Sequence, residues 1–334
     1  MSTRTLEALP WRVLWASVRG ASHEATDTPN QDAVKSRAID VFGRGALVVA
    51  VADGHGHWRH FRSRSGSRLA VDVACQSIDS FSQDLMAIDR VDELEAFAER
   101  VLIPNIIQAW KAAVASDVES TPFTRDEEEL QTNFHDGPES AYGSTLLVSV
   151  SWGRWVLLLQ IGDGDIVGLL PGGEVLLPMP VDPTLDGHHT TSLCQSDAAK
   201  VFRVSVIDQA VKTLFGILMA TDGYGNAQAI DEWEPAVASD LVALIRDHGT
   251  AWVANQLPDW LAQCASSEGS GDDTTAALLV AEMEGDAKWR NANAETVKIV
   301  TPDGTSSSPE KDPSGTSGHR RQDGHPGEKR SVIQ

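Results

Sequence analysis

Five aspartates recur in one kind of setting along this 334-residue chain. Asp32, Asp53, Asp163, Asp222 and Asp272 each stand at the end of an apolar run or in a tight turn beside Gly, Asn or a second Asp. Asp-Gly is ordinary turn chemistry, and any one of these positions taken alone reads as a turn. The repetition describes strand ends converging on a hard cation. Carboxylate and carbonyl oxygens with water suit magnesium, manganese or calcium, so neither cysteine nor histidine ligands are needed. The densest example is 46–57, ALVVAVADGHGH, a run without charge until Asp53. Such a run forms a strand covered on both faces. It stops where Gly54 and Gly56 let the backbone come close to a ligand and His55 offers a titratable imidazole.

The elements that must carry these residues follow from periodicity. Residues 11–18, 34–39 and 46–52 read as strands, 63–81 as a helix with Leu69, Val73 and Ile78 on one face, and 91–116 as a further helix. The acidic insert 117–140, with Asp126-Glu127-Glu128-Glu129, reads as a solvated loop. Two hairpins come next, 143–150 with 155–161 and 166–170 with 174–177, the second turning at Pro171-Gly172-Gly173. Residues 178–200 read as a loop with a short helix, in which His188 and His189 are exposed and lack a partner spacing for a metal. A strand at 213–220 runs into Asp222, helices are expected at 235–247 and 251–265, and Asp272 precedes a last strand at 276–281. Residues 1–284 are expected to form one domain. After residue 285 apolar periodicity vanishes, and 285–334 reads as a polar, disordered tail.

Charge narrows the function classes. The formal net charge is -21, and residues 1–284 hold 19 Lys and Arg against 41 Asp and Glu. So acidic a body repels nucleic acid and anionic membrane surfaces, and it repels a phosphorylated substrate unless bound cations invert the local field. The three cysteines, Cys75, Cys194 and Cys264, are scattered among apolar neighbours and read as reduced core thiols. With no signal-peptide pattern at the N-terminus and no stretch of membrane-spanning length, a cytoplasmic protein is expected.

Taken in order, Pro29-Asn30-Gln31-Asp32, Val51-Ala52-Asp53-Gly54-His55-Gly56, Gly143-Ser144-Thr145, Ile161-Gly162-Asp163, Ala220-Thr221-Asp222-Gly223 and Gly271-Asp272-Asp273-Thr274 resemble the successive motifs of the metal-dependent protein serine/threonine phosphatases of the protein phosphatase 2C type. The resemblance implies an α+β four-layer sandwich, two antiparallel β-sheets packed face to face and flanked by α-helices. It implies that Asp53, Asp222, Asp272 and the Gly54 carbonyl hold two Mg2+ or Mn2+ ions, that Asp32 contributes from the first motif, and that Asp163 serves a weaker third ion. It further implies hydrolysis of phosphoserine or phosphothreonine by metal-activated water, with His55 as the acid for the leaving oxygen. The expected partners are a phosphorylated protein substrate and a cognate Ser/Thr kinase. A catalytically silent phosphatase-like binding module, or a phosphatase of a partner-switching regulator, is the alternative. Departures from the pattern are Gln31 in place of Glu, Asn226 in place of a second Asp, Gly164-Asp165 in place of Ser-Arg, and a short 178–200 segment where larger members carry a flap. The phosphate-binding arginine has no clear counterpart, and Arg19 and His23 are the candidates for that task.

Overall fold

The computed structural model describes residues 11–41, 43–132, 137–182 and 190–281. Among these, ten strands form two antiparallel five-stranded sheets. One has the order β1 (Trp11–Val18), β10 (Thr274–Ala281), β9 (Gly216–Ala220), β6 (Asp165–Leu169), β7 (Val175–Leu176). The other has the order β2 (Ala33–Val41), β3 (Arg44–Ala52), β4 (Leu146–Trp152), β5 (Trp155–Ile161), β8 (Arg203–Asp208).

The period of two in β3 shows how the layers arise. Leu47, Val49 and Val51 point at the opposing sheet, where they meet Ile217, Met219, Ala277 and Leu279. Ala46, Val48, Ala50 and Ala52 point away, into a core shared with helices. Every residue of β4 and β5 is buried, as strands covered on both faces must be.

Helices complete the outer layers. The chain passes through α1 (Ala21–Thr26), α2 (Ser63–Ser80), α3 (Ser82–Ala87), α4 (Val91–Phe97), α5 (Ile103–Ser120) and α6 (Arg125–Thr132). It continues through α7 (Ala198–Val201), α8 (Asp222–Gly225), α9 (Glu234–His248) and α10 (Thr250–Cys264). Helices α2 to α5 pack on the β2–β8 sheet around Ile78, Leu94, Ile106 and Trp110, and α9 and α10 pack on the β1–β7 sheet around Leu241, Val253 and Leu261. The four-layer α+β sandwich expected from the resemblance is the fold observed. Close approach explains Gly66 in α2: a Cβ there would lie 1.8 Å from the Tyr142 carbonyl oxygen.

Three stretches differ from expectation. The single helix at 91–116 is instead α4, a π-helical turn Ala98–Leu102 and α5. Pro104 stands in the first turn of α5, has no N–H to give and cannot accept the carbonyl four residues back at normal helical spacing. Strand β8 was not anticipated; it is an edge strand with only Ile207 buried, so its apolar signal is weak. The acidic insert is not all loop, because 125–132 forms α6. A capping box starts that helix: Thr124 N–H donates to Glu127 Oε2 (2.8 Å) and Glu127 N–H donates to Thr124 Oγ1 (3.3 Å). His188, His189 and the tail 285–334 lie outside the described residues.

Arg62 docks the insert onto the body. Its guanidinium donates to both Glu127 carboxylate oxygens (2.9 Å each), to the Thr121 and Pro122 carbonyls and to Tyr142 Oη, and it lies 4.5 Å from the centre of the Phe123 ring. The pairing holds the Glu127 carboxyl at about 2, below its ordinary value. A carboxylate lowered in this way stabilises the fold above the unfolded value near 4.5, and that contribution is lost as the pH falls toward 2. The stability advantage of the native chain over Glu127→Gln is therefore expected to shrink by about 1–2 kcal/mol between pH 5 and 2.5, once partial exposure is allowed for. Urea denaturation of both proteins at the two pH values measures it.

Candidate active site

Sheet register gathers the aspartates. Ala33 pairs with Ala52, which sets Asp32 beside Asp53 where β2 begins and β3 ends. Leu146 pairs with Ile161 and Val51 with Leu147, which carries the Gly162-Asp163 turn to the same edge. In the other sheet Ala276 and Asp165 both pair with Ala220, so the start of β10, the start of β6 and the end of β9 also coincide there. Residues far apart in the chain thus meet where strand ends of both sheets share one edge of the sandwich.

A cleft of about 970 Å³ opens at this edge. Asp53, Gly54, His55, Asp163, Asp222 and Asp272 line it. Asp32 lies just behind, buried, with Oδ2 accepting from Thr221 Oγ1 at 2.9 Å across the two sheets, while its N–H donates to Asn30 Oδ1 (2.9 Å). Thr145 clamps Asp53, its N–H donating to the Asp53 carbonyl (2.9 Å) and its Oγ1 accepting the Asp53 N–H (3.0 Å). Thr190 Oγ1 donates to Asp163 Oδ1 at 2.7 Å. Asn226 Nδ2 donates to Asp222 Oδ2 at 3.1 Å, so the amide standing where the family often has a second Asp caps Asp222 instead.

The carboxyls strain against one another. Burial, then the charges of Asp32 and Asp222, drive Asp53 far above the usual carboxylate range; burial, then Asp273, does the same to Asp32. Asp222 is pushed up to about 6 by burial, then by Asp163 and Asp272. The charges of Asp53 and Asp222 bear on one another across the cleft. Burial also pushes His55 down to about 3, helped by His60, whose ring centre is 4.9 Å away. Its imidazole is neutral at pH 7.

Is the donor set right for Mg2+ or Mn2+? Asp32 Oδ1 and Gln31 Oε1 are buried with no hydrogen-bond partner, and both are hard oxygen donors at the carboxylate edge. Divalent cations held by Asp53 and Asp222 would relieve the repulsion among the carboxylates. Among the described residues no group of three or more His, Cys, Asp or Glu side chains is drawn together closely enough to hold a metal ion as it stands. Mg2+ and Mn2+ bind through few carboxylates and keep several waters. The residues fit the group.

The two candidates for phosphate binding, Arg19 and His23, are placed otherwise. Neither lines the cleft. Arg19 donates to the His23 carbonyl (2.8 Å), and His23 Nδ1 pairs with Asp273 Oδ2 at 2.8 Å, which raises its pKa. Asp273 itself was given no role from sequence. It is buried and also accepts from the N–H groups of Gly20 (2.7 Å) and Gln31 (2.6 Å), so it fixes the loop that delivers Asp32, while its neighbour Asp272 faces the cleft. The doublet in Asp-Asp-Thr-Thr was the available signal. Arg203 was also missed; from β8 it donates to the Gly162 carbonyl (2.6 Å), holding the Asp163 turn. Nor did the sequence point to Arg59 and Lys111, the residues of fixed positive charge that line the cleft. Cys194 lines it as well, whereas Cys75 and Cys264 are core thiols as expected.

The two-sheet sandwich and the acidic cleft at its strand ends define a class, an α+β sandwich that gathers carboxylates at one sheet edge. The protein phosphatase 2C profile matches residues 19–262, and the chain belongs to that family. In fold it is similar to a bacterial serine phosphatase, with a TM-score of 0.51 and 14% identity over 81% of this chain and 98% of that one. It is also similar to the serine/threonine phosphatase Stp1 from Staphylococcus aureus, with a TM-score of 0.52 and 13% identity over 81% of this chain and 95% of that one. No curated protein sequence matches it.

Proposed function

We propose that this chain is a Mg/Mn-dependent protein serine/threonine phosphatase that hydrolyses phosphoserine and phosphothreonine in protein substrates. The observation that carries the reading is the gathering of Asp53, Asp163, Asp222 and Asp272 in the lining of one cleft with Asp32 buried behind them, a carboxylate set whose mutual repulsion divalent cations would relieve. Asp53, Asp222, Asp272 and the Gly54 carbonyl would hold two ions, with Asp32 supporting them and Asp163 serving a third. Bound there, the ions would supply Lewis-acid activation of water and neutralise the phosphoryl oxygens.

The chain's own residues do the rest. Thr145 and Thr221 fix Asp53 and Asp32, and Asp273 fixes the loop before Asp32. His55, neutral at rest, would take a proton from solvent water as the negative phosphoryl group is brought against it, and would pass that proton to the departing seryl or threonyl oxygen. A silent binding module has less support, because Asp53, Asp222 and Asp272 are all present and gathered in one cleft. We place the activity in the cytoplasm, on a phosphoprotein and opposite a Ser/Thr kinase; among the described residues no helix is long and apolar enough to cross a membrane.

The test is phosphate release from a phosphothreonine peptide with manganese, with magnesium and with chelator. Release with either metal and none with chelator is expected. Folded protein that releases no phosphate with both metals would overturn the reading.

A further inference from the structure

Nothing in the carboxylate edge orients the His55 ring. The His55 N–H is anchored to the Gly143 carbonyl (3.2 Å), but among the described residues its imidazole makes no hydrogen bond, and burial and His60 are the influences that reach it. An acid must come within about 3 Å of the oxygen it protonates, so its side-chain torsions have to be fixed. Where no hydrogen bond fixes them, packing must. The neighbour packed on His55 is His60. The two ring centres lie 4.9 Å apart at an interplanar angle of 61°, the edge-to-face arrangement of aromatic pairs. Both rings crowd one glycine: a Cβ on Gly143 would stand 2.4 Å from His60 Nδ1 and 2.7 Å from His55 Cδ2. Gly143 has a φ of -46°, so the closeness of the rings, and not a left-handed turn, calls for glycine there.

His60 is itself held, as the His55 ring is not. Its Nδ1 donates to the Ser140 carbonyl in the 3-10 turn Pro138–Tyr142, and its N–H donates to the His57 carbonyl (2.8 Å), closing the 3-10 turn Trp58–His60. A carbonyl oxygen only accepts, so the His60 proton sits on Nδ1 and the tautomer is set. Burial keeps the His60 pKa below its ordinary value, so at neutral pH little charge on His60 opposes a proton on His55. The third imidazole of the segment, His57, is exposed, lies 6.3 Å from His60, and accepts the Arg59 N–H at Nδ1 (3.3 Å). It caps the turn that carries His60.

We propose that His60 is a positioning residue for the leaving-group step: pinned to the Ser140 carbonyl, its ring holds the His55 imidazole in the orientation that reaches the departing seryl or threonyl oxygen. The proposal rests on the phosphatase reading, with His55 as the acid. In that step a water oxygen bonds to phosphorus and the bond from phosphorus to the side-chain oxygen breaks, its electron pair staying on that oxygen. The His55 proton joins the same oxygen, leaving an alcohol and a neutral imidazole.

The test uses the full chain with manganese and two substrates that differ in their need for an acid. A phosphothreonine peptide releases an alkoxide that must be protonated, whereas p-nitrophenyl phosphate releases a phenolate stable as the anion. His60→Ala removes both the ring and its bond to Ser140, and His60→Asn keeps an N–H donor for that carbonyl. On the peptide, kcat is expected to fall about thirtyfold in His60→Ala and about tenfold in His60→Asn, with KM and p-nitrophenyl phosphate turnover changed less than about threefold. His55→Ala should show the same split at about a hundredfold. Gly143→Ala, which sets a methyl against both rings, gives the split from a second site. Histidine ring signals of 15N-labelled protein read the cause without turnover: one sharp His55 set in the native chain, broadened or doubled in His60→Asn. Equal losses on the two substrates in folded His60 variants, no loss on either, or an unaltered His55 spectrum would overturn the proposal. If His55→Ala lowers both substrates alike, the phosphatase reading stands and this inference falls. If the native chain turns over neither substrate, the phosphatase reading falls and takes the leaving-group role of His60 with it.

Discussion

Asp53→Asn is expected to abolish phosphate release and, in the same protein, to raise the melting temperature measured with chelator. The amide keeps the shape of the carboxyl but carries no charge, and Asp53 is the residue on which burial and the charges of Asp32, Asp222, Asp272 and Asp163 all bear. Removing one member of such a cluster relieves repulsion and desolvation worth about 1–2 kcal/mol in the metal-free fold. The same change takes away an anionic ligand, and the loss of turnover is expected to reach about a thousandfold, or roughly 4 kcal/mol of transition-state stabilisation. Manganese should raise the melting temperature of the native chain and leave that of Asp53→Asn nearly still, since a ligand stabilises only the state that binds it. Differential scanning calorimetry with and without metal, beside the phosphatase assay, reads both effects. A variant less stable than its parent in chelator would contradict the account of a cluster held under strain for function.

Arg62→Ala is expected to be the most damaging single change outside the carboxylates, at about 3–4 kcal/mol. It leaves Glu127 without the partner that keeps its carboxyl at about 2, strips the Thr121 and Pro122 carbonyls of a donor, and opens space beside Phe123 and Tyr142. The partly buried setting, with the Arg62 side chain 11% exposed and Glu127 23%, lifts the pair above the usual small value of surface ion pairs. Arg62→Lys should rescue little, because one ammonium cannot satisfy both Glu127 oxygens and two carbonyls together. Activity should fall with stability. The Arg62 N–H is bonded to the Ala141 carbonyl, His60 Nδ1 to the Ser140 carbonyl and the His55 N–H to the Gly143 carbonyl, so the His55 loop and the end of the insert share one set of bonds. Urea denaturation and kcat on the same samples test this; a kcat unchanged under conditions where the variant is folded would separate the insert from the His55 loop.

Much of the fold was written in local pattern. The run before Asp53 had to be a strand covered on both faces, since seven successive apolar residues leave no side for water, and in β3 each side does meet its own layer. The hairpin across Trp152 and Trp155 and the helices on either side of Gly249 were legible for similar reasons, from turn residues and from period. What escaped had a weak or contrary local signal. Strand β8 is mostly half-buried, and α6 reads as acidic loop unless the Thr124–Glu127 capping box is given more weight than the charge.

By itself, the sequence determined which residues could bind a hard cation and in what order they arrive, because ligand chemistry belongs to residue type and its neighbours in the chain. It could not assign partners across distance. That Asp273 turns inward to hold Gly20, His23 and Gln31 while Asp272 faces the cleft was decided by the packing of α1 against the start of β10. That Arg19 lies outside the cleft and Arg59 and Lys111 within it was decided by where the helical layer meets the strand edge. The physical reason is common to both cases: a charged side chain is placed by the nearest groups able to satisfy it, and in a sandwich those groups come from strands and helices that only tertiary packing brings together.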